Sequence, residues 1–252
     1  MPSPAKPMAP ANKALTGRMP AEAIHVFELP RLPADMLADF RALEDASSAV
    51  SDAMDNLGLF GAIAASELMP SLKGSAIVGQ AVTVLNLPRE GGVAAAVASG
   101  LGLMGEQEAY NLAEPGDVVV IQGIRTGSNL GGQSATLAHR AGCAGAVVDG
   151  CHRDPNASAE LGFPVWSRGV TPVTGKWRLR TAAINGPVQI AGVAVQAGDL
   201  VVADAAGVVF VPFDRCADVL MEAQRIHNGD SRQKADIARG VSLAELARAK
   251  YK

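Results

Sequence analysis

The chain has 252 residues, a formal net charge of −3, 48% hydrophobic and 19% charged residues. That composition supplies one sizeable core and argues against global disorder, and the basic residues are too scattered to grip a phosphate backbone, so no nucleic-acid partner is expected. No apolar run reaches membrane-spanning length, the opening MPSPAKPMAPANK lacks an apolar signal core, and Cys143, Cys151 and Cys216 form no CxxC, so the expectation is a cytoplasmic protein with no membrane partner.

Residues 1–30 carry prolines at 2, 4, 7, 10, 20 and 30 and predict an extended N-terminal arm, either wrapping a neighbour or fraying. Residues 31–252 predict a single domain. Helical stripes follow at Leu37, Phe40 and Leu43, and at Val50, Met54 and Leu57, ended by Gly58 and Gly61. Residues 76–85 predict a strand, 92–103 an Ala/Gly-rich helix and 117–122 a buried strand. A Gly-rich loop spans 123–132, a helix 133–141 and a short strand 146–149. Residues 150–155 read as a polar turn and 164–167 as a strand. Residues 188–212 read as three short strands, 216–228 as a helix, and the remainder as a polar helical tail. Helices, then mixed elements, then a run of strands, then helices predict an α/β chain layered as α/β/β/α rather than a doubly wound sheet.

The chain has no GxxxxGK[ST], HExxH or GxSxG. The informative stretch is Asn129–Asp154. Consecutive glycines before a helix let free amide groups and the helix dipole face one anion. The next strand returns beside the loop and delivers Arg153, a planar fork for a carboxylate or keto oxygen, and Asp154, a hard oxygen ligand for Mg²⁺ or Mn²⁺. The same pair also suits a capping carboxylate with a surface ion pair.

Gly132, twenty residues and Arg153-Asp154 form a G-x20-R-D pattern. It is flanked by Val50-Ser51-Asp52-Ala53-Met54, Gly79-Gln80-Ala81-Val82-Thr83-Val84, Pro115-Gly116-Asp117-Val118, residues 145–150 (GAVVDG) and Gly198-Asp199 through Asp204. In this order these stretches resemble the RraA-like family, which includes regulators of ribonuclease E activity and class II aldolases acting on 4-hydroxy-4-methyl-2-oxoglutarate. The resemblance implies a compact α/β/β/α sandwich assembling as a homotrimer or hexamer with sites between subunits. It implies Asp154 holding Mg²⁺ or Mn²⁺ largely through waters and Arg153 on the keto oxygen of a small 2-oxo acid. Backbone amides of Gly131, Gly132, Gln133 and Ser134 would receive the carboxylate. An acid from a neighbour's C-terminal helix would complete the metal site, with Asp230 the nearest match; the other reading of Asp230 is a helix cap after Gly229. The implied activity is a carbon–carbon lyase working through a pyruvate enolate, by retro-aldol cleavage or oxaloacetate decarboxylation; only the former needs a base for the substrate hydroxyl. The alternative is a non-catalytic, protein-binding regulator of an RNA-degrading enzyme.

Three positions depart from the family pattern. Gly132 stands where the aldolases have an acid, Ala157 stands three residues after Asp154 where Glu or Asp is usual, and Asp204 is followed by Ala205-Ala206. Asn156 or Glu160 would have to stand in for the acid at 157. His152 reads as a substrate-side acid or a strand-end polar residue, and Ser51 and Asp52 as surface or capping residues.

Overall fold

The computed structural model describes residues 13–251. Pro2, Pro4, Pro7 and Pro10 of the expected arm lie outside the described residues. From Lys13 onward the segment packs on its own domain: Lys13 Nζ donates to the Ala113 carbonyl (2.8 Å), Thr16 N donates to Glu108 Oε2 (2.9 Å), and Met19, Ile24, Phe27 and Leu29 are buried in the core. Buried Gln80 anchors the segment's end, donating to the Pro30 and Gly198 carbonyls (2.8 and 2.9 Å) while accepting from Leu32 N (2.9 Å).

The helices are α1 (Ala34–Arg41), α2 (Ala46–Asn56), α3 (Gly92–Ser99), α4 (Gln107–Leu112), α5 (Gly132–Arg140), α6 (Pro155–Glu160), α7 (Cys216–Ala238) and α8 (Leu243–Leu246). The strands are β1 (Ala62–Ala64), β2 (Met69–Pro70), β3 (Ile77–Pro88), β4 (Val118–Gln122), β5 (Ser128–Leu130), β6 (Gly145–His152), β7 (Val165–Val170), β8 (Leu179–Ile184), β9 (Val188–Ile190), β10 (Val193–Val195), β11 (Leu200–Ala203) and β12 (Gly207–Val211).

β3 belongs to two sheets. Its first half pairs antiparallel with β11 through Ile77–Gln80, and β11 continues to β12 and β1. Its second half pairs parallel with β4 and antiparallel with β8, and β4 continues in parallel to β6 and β7. Side chains alternate across each strand. Val119, Ile121, Ala146 and Val148 face one apolar layer with the α4 and α5 residues Ala109, Tyr110, Ala135 and Ala138. Val118, Val120 and Val147 face the opposite way, joining Val201, Ala203, Val208 and Phe210 around fully buried Trp166. Leu200, Val202, Val209 and Val211 then meet Phe40, Val50, Met54, Val219 and Ile226 from α1, α2 and α7. Three apolar interfaces between four layers give the expected α/β/β/α sandwich.

Some expected boundaries move. The helix expected over 216–228 continues through buried Gly229 to Ala238, which puts Asp230 inside α7 rather than at a cap. The "polar turn" at 150–155 divides into the end of β6 and the start of α6. The run 188–212 holds four strands, and β8, α4 and α6 were not expected.

Several resemblance motifs are structural clamps. Asp199 accepts from Gln196 N and Phe213 N (2.8 and 3.0 Å). Asp204 accepts from Ser47 N, Ser47 Oγ and Ala206 N (3.0, 2.6 and 2.8 Å), tying the first turn of α2 to the loop after β11. Asp117 pairs with Arg31 (2.6 Å) and accepts from Glu114 N (2.8 Å).

Candidate functional site

β5 runs parallel to β6, and Arg153 N donates to the Leu130 carbonyl (2.9 Å), so the ends of the two strands lie side by side. Beyond β5, Gly131 caps α5 in extended conformation, and the first intrahelical bond runs from Ala135 N to Gly131 O. The amides of Gly132, Gln133 and Ser134 thus have no partner within the helix and form a cationic mouth.

Beyond β6, Asp154 is left-handed (φ 57°, ψ 54°) and precedes Pro155, the first residue of α6. That conformation is costly for a non-glycine residue and persists where surrounding contacts enforce it. Here Asp154 Oδ2 accepts from Gly132 N (3.0 Å) and lies 3.3 Å from Arg153 Nε. The expected capping carboxylate and ion pair are thus present, with Asp154 bound to the first amide of α5. Both side chains are partly exposed and free to meet a ligand (38% and 48%).

Gly131, Gly132, Gln133, Ser134 and Arg153 line one cleft of about 250 Å³, a volume suited to an acid of a few carbons. Arg18 and Lys176 also line it, giving the cleft an excess of positive charge. Arg18 arrives from the docked N-terminal segment and Lys176 from the loop before β8. Neither is signalled by the sequence, because no local pattern links positions 18, 132, 153 and 176.

Gly132 has a steric role as well as a missing charge. A Cβ there would sit 2.9 Å from Ala157 Cβ and 3.3 Å from Asp154 Cβ. Restoring an acid by Gly132→Asp is therefore expected to push α6 away and cost on the order of 1–3 kcal/mol, relieved in part by Ala157→Gly. Denaturant midpoints of the single and double variants check this; a single variant as stable as wild type would refute the clash.

A further group in the cleft also escaped sequence reasoning. Glu106 is 3% exposed, just before α4. Ser134 Oγ donates to its Oε1 (3.0 Å), and Oε2 has no hydrogen-bond partner. Burial raises its pKa, opposed by Ser134 and by the charge of Arg18. The available signal was an acid within residues 103–113, a segment otherwise apolar enough to be core. Glu108 is the other; it is buried too, but Thr16 and Asn111 satisfy it.

The remaining candidates lie elsewhere. His152 is buried, with Nδ1 against Ser167 Oγ (2.9 Å); burial lowers its pKa, and it does not line the cleft. Asp52 and Asp230 face a separate cleft with Glu44, His227 and Lys234. Asp230 lines a different cleft from Arg153, so the metal role implied for it calls for Asp230 from a second copy. Among the described residues no group of three or more His, Cys, Asp or Glu side chains is placed to hold a metal ion.

Comparison with known proteins agrees with this fold. A family model described as RraA-like (Aldolase/RraA) matches residues 47–210. A protein of Halalkalibacterium halodurans described as "Putative 4-hydroxy-4-methyl-2-oxoglutarate aldolase" is 34% identical over 209 residues, covering 82% of this chain and 90% of that one. A crystal structure of an uncharacterized protein from Pseudomonas syringae pv. tomato superposes with a TM-score of 0.74 at 26% identity, covering 87% of this chain and 96% of that one. RraAS2 of Streptomyces coelicolor, described as an unusual member of the RNase ES inhibitor RraA protein family, gives 0.66 at 28% identity, covering 83% and 98%. With the family model spanning well over half of its length, the chain belongs to the RraA-like (Aldolase/RraA) family.

Proposed function

We propose that the cleft binds a small 2-oxo acid and breaks the bond between its C3 and C4 through a pyruvate enolate. The observation that carries this reading is convergence: the open amides at the start of α5 and the Arg153 guanidinium face one small cleft, with the Asp154 carboxylate beside them. The Gln133 and Ser134 amides receive the substrate carboxylate. Arg153 donates hydrogen bonds to the keto oxygen and holds it more tightly as charge develops there. The cationic lining from Arg18 and Lys176 favours an anionic substrate.

Asp154 is the residue that would hold Mg²⁺ or Mn²⁺. A single carboxylate suits an ion that keeps several waters and takes its other ligands from substrate, and does not suit a closed protein cage. Such an ion supplies Lewis-acid polarisation of the keto oxygen. We further propose that the protein works as a homo-oligomer, a trimer or hexamer, in which Asp230 of a second copy reaches the site. A cytoplasmic location is part of the same reading, supported by three free cysteines, Cys143, Cys151 and Cys216. Among the described residues no helix is long and apolar enough to cross a membrane.

A second reading is a non-catalytic, protein-binding regulator. Gly132 and Ala157, which stand where the resembled family pattern has acids, are the observations that favour it. The deciding assay is pyruvate formation from oxaloacetate and from 4-hydroxy-4-methyl-2-oxoglutarate, with Mg²⁺ or Mn²⁺ added and then removed by chelation. Metal-dependent pyruvate release is expected; none from either substrate, under both metals, would favour the regulator.

A further inference from the structure

Aldol cleavage needs a group to take the proton of the substrate's 4-hydroxyl, and neither Gly132 nor Ala157 has one to offer. In the lyase reading Asp154 is taken by the metal ion, and its Oδ2 also accepts from Gly132 N (3.0 Å). His152 lies outside the cleft. We propose that Glu106 is that base, a buried carboxylate entering the cleft from α4's side and taking over the role from a different element of the fold. The proposal rests on the lyase reading of the site.

Three observations support it. Glu106 lines the same cleft as Arg153 and the α5 amides. Its Oε1 is fixed by Ser134, whose backbone belongs to that anion-binding turn. Its Oε2 is buried without a partner, a cost that a purely structural glutamate would shed by substitution. Burial also moves its titration toward neutrality, where a carboxylate is a stronger base.

The step balances within the cleft. Glu106 takes the hydroxyl proton, and the electrons of the O–H bond form the new C4=O. The C3–C4 pair moves into C2=C3, leaving the negative charge on the keto oxygen that Arg153 holds. Water protonates C3, releasing pyruvate, and the hydroxide so formed takes the proton from Glu106, leaving the carboxylate as it began.

The test compares wild type with Glu106→Gln, which keeps the size of the side chain and an oxygen for Ser134, on two substrates with Mg²⁺ present. Oxaloacetate decarboxylation makes the same enolate without a hydroxyl proton to remove. Cleavage of 4-hydroxy-4-methyl-2-oxoglutarate is expected to fall about 10²–10⁴-fold, while decarboxylation stays within about threefold. The kcat/KM of wild-type cleavage is expected to rise with pH through a carboxyl group titrating above the ordinary glutamate range, and this limb is expected to vanish in the variant.

Folding has its own readout. Burial penalises the charged form, so ionisation of Glu106 destabilises the native state as pH rises through its raised pKa. Glu106→Gln is expected to melt higher than wild type above that pKa, and the gap to close as pH falls toward 4.5, the unshifted value. Retention of cleavage in the variant, or equal loss of both reactions, overturns the base role and leaves the lyase reading intact. A wild type that decarboxylates but never cleaves the aldol substrate also overturns it. A wild type inactive on both substrates overturns the lyase reading first.

Discussion

Arg153→Ala is expected to slow pyruvate formation by about 10²–10³-fold, the usual cost of removing a donor from a developing oxyanion. The effect should fall on kcat rather than on KM, because the guanidinium is needed most when charge reaches the keto oxygen. Arg153→Lys should recover little, since a point charge cannot reproduce a planar fork. The loss is separable from damage to the fold. Arg153 is 38% exposed and its one ion pair, with half-exposed Asp154, is a surface contact worth at most about 1 kcal/mol. Thermal melts of Arg153→Ala should therefore nearly match wild type. Asp154→Ala should also lose activity, and its residual rate should no longer respond to added Mg²⁺ or Mn²⁺. Activity of Arg153→Ala within about threefold of wild type would remove the oxyanion role from this residue.

Trp166→Ala is expected to cost about 3–5 kcal/mol from the lost packing alone. Trp166 is fully buried in the interface between the two sheets, and its Nε1 donates to the Asp204 carbonyl (2.9 Å). Truncation leaves a large void between strands that hydrogen bonds hold in place, so collapse is limited. It also leaves that carbonyl without its donor, adding about 1–3 kcal/mol. Against a total stability of about 5–15 kcal/mol, the variant should populate unfolded chain at modest urea concentrations. Trp166→Phe keeps most of the apolar contact and should cost roughly half as much. Urea midpoints at constant m-value measure both, and a loss under about 1.5 kcal/mol for the alanine variant would mean that the sheets close over the gap.

The layers were legible in the order of the elements, and unbroken apolar runs mark strands buried on both faces. Val118–Ile121 and Leu200–Ala203 send successive residues to different cores, and the spacing of Val50 and Met54 puts them on one helix face. What escaped depended on tertiary context. Gly150 reads as punctuation, yet β6 runs through it. A side chain there would collide with Asn129 and the Ile124 carbonyl, so the glycine marks close packing rather than a turn. α6 was hidden by Asp154-Pro155, a pair that suggests a loop until the left-handed aspartate is seen to start a helix. At the site, residues 131–134 and 153–154 were legible because they flank one helix and two adjacent strands. Glu106, Arg18 and Lys176 were not, since separate elements bring them in and nothing in their spacing records it.

The double allegiance of β3 has a consequence for synthesis. Its second half finds β4 soon after emerging, but the partner of Ile77–Gln80 is Leu200–Ala203, more than a hundred residues later. Until the ribosome has released that stretch, one apolar edge of the central strand stays open to any other chain. Loss of the chain's final third would leave this edge permanently bare, so clipped or prematurely terminated products should aggregate rather than persist as smaller folded proteins.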